Sequence, residues 1–188
     1  MDLIACDDDA VARPVLVVIS GPAGTGKTTL AHELAGAVGC PAVCRDEIKE
    51  GMVHAADDFV AGPGDALTMR TLPLFFSTLR LLLDGGVTVV AEAAFQDHVW
   101  RPHLEPLADI ARLCVVQCHT DAATARARMA GRQGRGAHTD GAVLADAGYH
   151  AGFQRLELPA PSLDVDTTAG YDPPLERIVD FVDRVGPS

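Results

Sequence analysis

Residues 15–29, Val-Leu-Val-Val-Ile-Ser-Gly-Pro-Ala-Gly-Thr-Gly-Lys-Thr-Thr, constrain the fold more than any other part of the chain. The first six are apolar and mostly β-branched, the composition of a strand buried on both faces. The next eight, Gly21 to Thr28, fit the pattern G-x-x-x-x-G-K-[ST], and an apolar pattern of helical period follows. Gly21, Gly24 and Gly26 permit a tight turn whose N–H groups converge on an anion at a helix N-terminus. Ala23, Thr25 and Thr29 belong to the same cradle. Lys27 then reaches the outer phosphates, and the Thr28 hydroxyl is a ligand for Mg²⁺. A strand before and a helix after separate this motif from a glycine-rich turn that happens to match. The stretch reads as a nucleoside triphosphate site.

At 188 residues with no Pro/Gly/Ser linker, the chain suits one domain over 14–188, preceded by a flexible, acidic segment at 1–13. That segment has neither the basic start nor the apolar run of a signal peptide. No apolar run reaches the ~20 residues that span a bilayer, so no membrane association is expected. The formal net charge of −11 argues against nucleic acid as a bulk partner, because a polyanion is held by a basic stripe. Five cysteines (Cys6, Cys40, Cys44, Cys114, Cys118) form no C-x-x-C pair. Both C-x₃-C pairs fall on apparent strands, where free cysteine serves as a small core residue; the alternative is a Zn²⁺ site shared by the last four. Reduced thiols point to a cytoplasmic location.

Apolar strand-like runs at 15–20, 41–45, 87–91, 112–118 and 163–167 alternate with helical patterns at 28–38, 46–50, 66–84, 98–108, 122–130, 142–155 and 175–185. That alternation predicts an α/β fold, a parallel sheet with helices on both faces. In such sheets ligands bind outside the carboxyl ends of the strands. Asp46 follows the second strand and is either a general base facing an acceptor hydroxyl or a helix N-cap. Lys49, three residues on, shares its helical face and either holds the acceptor or is solvated. Glu92 ends the third strand, where it can hold the acceptor or a Mg²⁺-bound water, or form an ordinary ion pair. Arg128 and Arg132 stand i and i+4 on one helix, and Arg135 follows in a glycine-rich stretch. A flexible arginine segment there suits a lid, at about 131–141, that neutralises phosphate charge as it closes. A solvated basic helix is the alternative.

These residues carry a family resemblance over about 14–185. The chain resembles the small P-loop kinases of the group containing the polynucleotide 5′-kinase domain, chloramphenicol phosphotransferase and zeta toxins. Gly21–Thr28 matches that group's phosphate loop. Cys44-Arg-Asp-Glu-Ile-Lys49 resembles its R-D-[DE]-x-[RK] segment, which implies Asp46 as general base and Lys49 as acceptor contact. Arg128-Met-Ala-Gly-Arg132 resembles the start of its lid, with Arg128 against the adenine and Arg132 on the phosphates. Leu163-Asp-Val-Asp-Thr-Thr168 is similar to its last strand and adenine-side loop. The resemblance implies a P-loop NTPase three-layer sandwich, its five-stranded parallel sheet in the order 2-3-1-4-5.

The expected activity is transfer of the γ-phosphate of ATP, with Mg²⁺, to a hydroxyl of a small molecule such as an antibiotic, nucleoside or sugar-like metabolite. Lys27, Asp46 and Arg132 are its catalytic residues. Polynucleotide 5′-hydroxyl phosphorylation and nucleotide binding without catalysis are the competing readings. The absence of asparagine argues against a guanine-specific switch, which uses an N-K-x-D segment.

Overall fold

The computed structural model describes residues 13–56, 59, 60, 62, 65–131 and 152–186. Five strands, β1 (Val15–Ser20), β2 (Ala42–Cys44), β3 (Val89–Glu92), β4 (Arg112–His119) and β5 (Ser162–Asp166), form one sheet in the order β2-β3-β1-β4-β5. Every pairing is parallel. Between and after them come α1 (Lys27–Val38), α2 (Arg45–His54), α3 (Ala66–Asp84), α4 (Asp97–Leu104), α5 (Ala122–Ala130) and α6 (Leu175–Val185).

Two cores follow from the period-2 alternation of the strands. Leu16 and Val18 of β1, with Val89, Ala91, Leu113 and Val115, face one way and pack with Phe75, Leu79 and Leu83 of α3 and Trp100 and Leu104 of α4. Val15, Val17 and Ile19 face the other way and pack with Leu30 and Leu34 of α1 and Ile178 and Val182 of α6. Both faces of β1 are thus covered, which is why its sequence is a continuous apolar run rather than an alternating one.

At 19 residues and a mean hydropathy of 1.2, α3 is long and apolar enough to cross a bilayer, which the sequence reading did not expect. Here one stripe of it, Leu67, Thr71, Phe75, Leu79 and Leu83, is buried, and Asp65 caps its first turn. The four described cysteines are free. Cys44 lies on β2 and Cys114 and Cys118 on β4, with β3 and β1 in between, so the four-cysteine Zn²⁺ arrangement is not assembled.

Three differences from expectation bear on the site and its surroundings. The second helix begins at Arg45 and its N-cap is Cys44, so Asp46 is a first-turn residue rather than the cap. The fourth begins at Asp97, which puts Pro102 inside it, and it tightens into a 3₁₀ turn over Glu105–Asp109. Pro102 and Pro106 each remove a backbone donor there, and the shorter-range turn accommodates the loss. Residues 153–155 are not helical, while the rest of the helix expected up to 151, like Cys6, lies outside the described residues.

Candidate active site

The site is set by sheet register. Ile19 pairs with Glu92, and Glu92 pairs with Cys44, so the ends of β1, β3 and β2 stand in one row. The glycine loop leaves one end of that row, α2 leaves the other, and Glu92 sits between them. Neighbouring strands are about 4.8 Å apart, which brings all three within the span of one small ligand.

Three glycines of the loop adopt positive φ, Gly21 at 147°, Gly24 at 80° and Gly26 at 74°, the last being the N-cap of α1. At two of them the space is also closed. A Cβ on Gly21 would lie 2.3 Å from the Cys118 carbonyl oxygen, and one on Gly24 would lie 2.5 Å from that of Ala125. Any side chain here would push the cradle off β4 and α5. The Lys27 ammonium is buried and donates to the Pro22 carbonyl at 2.9 Å, which also accepts from Thr25 Oγ1 at 2.9 Å. Ala23 lies within this loop, and Thr29 is in the first turn of α1.

Glu92 is 3 % exposed and accepts from Thr28 Oγ1 at 3.1 Å, with Lys27 Nζ 4.0 Å from its other oxygen. Burial raises its pKa above the ordinary carboxylate range. Lys27 opposes the shift, and the charges of Asp46 and Glu47 add to it. A hydroxyl and a buried carboxylate side by side, with no sulfur or imidazole between them, form a donor set for a hard cation such as Mg²⁺. Beside a loop built to hold phosphate oxygens, the set fits.

Arg128 of α5 reaches back over the loop. Its guanidinium donates to Thr167 Oγ1 at 3.1 Å, to the Thr167 carbonyl at 2.6 Å and to the Gly24 carbonyl at 3.5 Å. Thr167 itself donates to the Thr25 carbonyl at 2.8 Å. This threonine, just past β5, is a buried joint between loop, α5 and sheet. The sequence reading passed over it as part of a similar segment. Beyond it Asp166, Thr168, Ala169, Gly170, Tyr171 and Asp172 line a recess of about 210 Å³. Helix α5 runs to Ala130, with Gly131 as its C-cap; Arg132 and Arg135, and the lid expected at about 131–141 beyond Gly131, lie outside the described residues.

At the α2 end of the row, Asp46 is half exposed in the first turn of α2 and pairs with Arg45 Nη1 at 2.9 Å. Lys49 is buried rather than solvated, and it pairs at 2.8 Å with Asp65, the N-cap of α3. Although burial opposes ionisation of Asp65, the Lys49 ammonium and the N–H groups of Thr68 and Gly62 hold its carboxyl well below the usual range. Neither Asp65 nor Arg45 was singled out from sequence. The Arg45 guanidinium lies 6.0 Å over the Trp100 ring, and its Nε is buried without a hydrogen-bond partner. Trp100 packs edge-on against Phe95 at 4.9 Å and Phe75 at 6.1 Å, which makes it a core residue; His103 stacks on Phe76 at 5.0 Å.

Among families of known sequence, one described as "AAA domain" (AAA_33) matches residues 16–155. The chain belongs to this P-loop kinase-like family. No curated protein matches the AAA-domain chain significantly. Solved structures share its fold. A Chloroflexus aurantiacus protein provisionally described as a kinase aligns with a TM-score of 0.78 at 21 % identity, covering 92 % of this chain and 98 % of that one. A sugar kinase from Janibacter aligns at 0.64 with 20 % identity, covering 93 % and 99 %. The Mycobacterium tuberculosis APS kinase CysC, in complex with AMPPNP and APS, aligns at 0.65 with 18 % identity, covering 91 % and 98 %.

Proposed function

We propose that this AAA-domain protein is an ATP-dependent kinase that transfers the γ-phosphate to a hydroxyl of a small molecule. The observation that carries the reading is the register row Ile19–Glu92–Cys44, which sets the phosphate loop and the first turn of α2 on either side of Glu92 at the carboxyl end of the sheet. Gly21 to Thr28 hold the phosphates, and Lys27 leaves the Pro22 carbonyl for their outer oxygens. Thr28 and, through water, Glu92 would hold Mg²⁺, which would supply neutralisation of the phosphate charge. Arg128 sits against the adenine, and Arg132 and Arg135 follow it toward the transferring phosphoryl group. Asp46 accepts the proton of the acceptor hydroxyl as the new O–P bond forms and the bond to ADP breaks. Lys49 and Glu92 position the acceptor.

The first-turn position of Asp46 supports its role as base. The carboxylate is partly solvated and stands within electrostatic reach of Glu92. The net charge of −11 favours a small acceptor over a polynucleotide. The test is acceptor-dependent ADP release with Mg-ATP across hydroxylated metabolites, nucleosides, antibiotics and a 5′-hydroxyl oligonucleotide, with Lys27→Ala as control. The reading expects one small-molecule class to raise ADP release, and Lys27→Ala to abolish it. Stimulation by the oligonucleotide alone moves the acceptor to nucleic acid. ATP binding without stimulation by any compound supports a nucleotide binder without catalysis.

A further inference from the structure

Among the described residues, one cluster of metal-ligating side chains lies outside the phosphate site. His32 of α1 bonds through Nε2 to Glu47 Oε1 at 2.8 Å, and the same nitrogen lies 3.8 Å from Cys44 Sγ. All three ligand atoms lie within 4.8 Å of one another. Cys44 is the N-cap of α2 and Glu47 lies in its first turn, so both are fixed by one short backbone segment. The His32 and Glu47 side chains are 52 % and 43 % exposed, while Cys44 is buried behind them. A cation can therefore enter from solvent between imidazole and carboxylate and reach the sulfur.

We infer that His32, Cys44 and Glu47 form a site for a thiophilic divalent cation, Zn²⁺ by its chemistry, with water as the fourth ligand. One sulfur, one imidazole nitrogen and one carboxylate oxygen form a donor set that selects Zn²⁺ over Mg²⁺ or Ca²⁺. Tetrahedral Zn²⁺, with bonds of about 2.3 Å to sulfur and about 2.0 Å to nitrogen, holds those two atoms roughly 3.5 Å apart. The observed 3.8 Å needs only a small closure. Without a cation the thiol stays protonated, because burial and then the charges of Glu92 and Glu47 push Cys44 up. On binding, the S–H proton leaves to solvent as the metal–sulfur bond forms, and the cation also offsets the acidic surroundings. This site is separate from the oxygen-only pair Thr28 and Glu92. Glu47 adjoins Asp46, so an occupied site ties α1 to the turn that carries the proposed base and stiffens it.

The probe is Co²⁺ added to the untagged, reduced full-length protein and followed by absorbance, with Zn²⁺ as competitor and thermal melting as a second readout. A thiolate-to-cobalt charge-transfer band with tetrahedral d–d bands is expected, displaced by Zn²⁺, and Zn²⁺ raises Tm. Both effects should disappear in Cys44→Ser and in His32→Ala, and persist in Cys40→Ser, which removes the nearby half-buried thiol. His32 is exposed, so its variant keeps the test decisive if Cys44→Ser fails to fold. No thiolate band in the wild type, or a band that survives His32→Ala or Cys44→Ser, overturns the assignment.

Discussion

Gly24 and Gly39 share nearly the same φ, 80° and 79°, yet differ in what surrounds them. That makes Gly24→Ala and Gly39→Ala a matched pair. At Gly39, the C-cap of α1, a Cβ meets nothing within 4 Å. The variant loses only the left-handed preference of glycine, about 1–2 kcal/mol. At Gly24 the same strain applies, and the Cβ would also stand 2.5 Å from the Ala125 carbonyl oxygen and 2.9 Å from its Cα. That is roughly an ångström short of the ~3.5 Å of ordinary contact. Both obstructing atoms are helix backbone and cannot rotate away, so the overpacking cost of about 1–3 kcal/mol is added. Gly24→Ala should therefore lose roughly 2–5 kcal/mol, against about 1–2 for Gly39→Ala. Displacing the loop also spoils its converging N–H groups. If returning the displaced loop to its cradle costs about 1.4 kcal/mol more in the bound protein than in the free one, ATP affinity falls tenfold. Urea midpoints at equal slope and a calorimetric ATP titration measure both quantities. Equal destabilisation of the two variants, with ATP binding unchanged in Gly24→Ala, would refute the close approach of loop and α5.

Glu92 carries a pH signature. Its folded pKa is raised by burial, so the unfolded chain ionises first, and nucleotide-free stability falls as pH rises from the ordinary carboxylate value through the folded one. Glu92→Gln removes that loss, so the Tm gap between variant and wild type should widen with pH; a constant gap contradicts the burial argument. Arg128→Lys keeps the charge but cannot span Gly24 and Thr167, so ATP affinity should weaken about tenfold with kcat little changed, since a charged hydrogen bond is worth about 1.5–3 kcal/mol. Wild-type affinity in that variant would show that the bridge does not shape the loop. Lys49→Met leaves the part-buried Asp65 carboxylate without its partner, and urea denaturation should register a loss of about 1–3 kcal/mol; a loss of only a few tenths would mark the pair as solvated.

The phosphate loop and the sheet were legible in sequence because both are local signals. Residues 15–29 carry the strand, the turn and the helix start in one run, and five apolar segments spaced by helices announce the parallel sheet. The strand order came from resemblance, and the structure bears it out. Long-range pairing was not legible. Nothing near Lys49 in sequence announces the buried position it takes or its ion pair with Asp65, sixteen residues on. Thr167 is an ordinary polar residue in sequence, and only the fold brings it under Arg128 and Thr25. His32 was hidden for the same reason, since nothing in α1 predicts that its imidazole meets the first turn of α2. The N-cap alternative for Asp46 fails because β2 runs directly into α2, leaving Cys44 at the junction.

The central claim is that the first turn of α2 holds the base. Asp46→Asn tests it most directly, because it changes charge with almost no change in size. The loss of a first-turn negative charge costs the helix only about 0.3–1 kcal/mol, so the fold survives. With the acceptor found in the screen, kcat/KM should fall by about 10²–10⁴, the usual worth of general-base assistance, while ATP affinity in the same preparation stays close to wild type. Near-wild-type phosphorylation with intact ATP binding would contradict the account and move the base to Glu92.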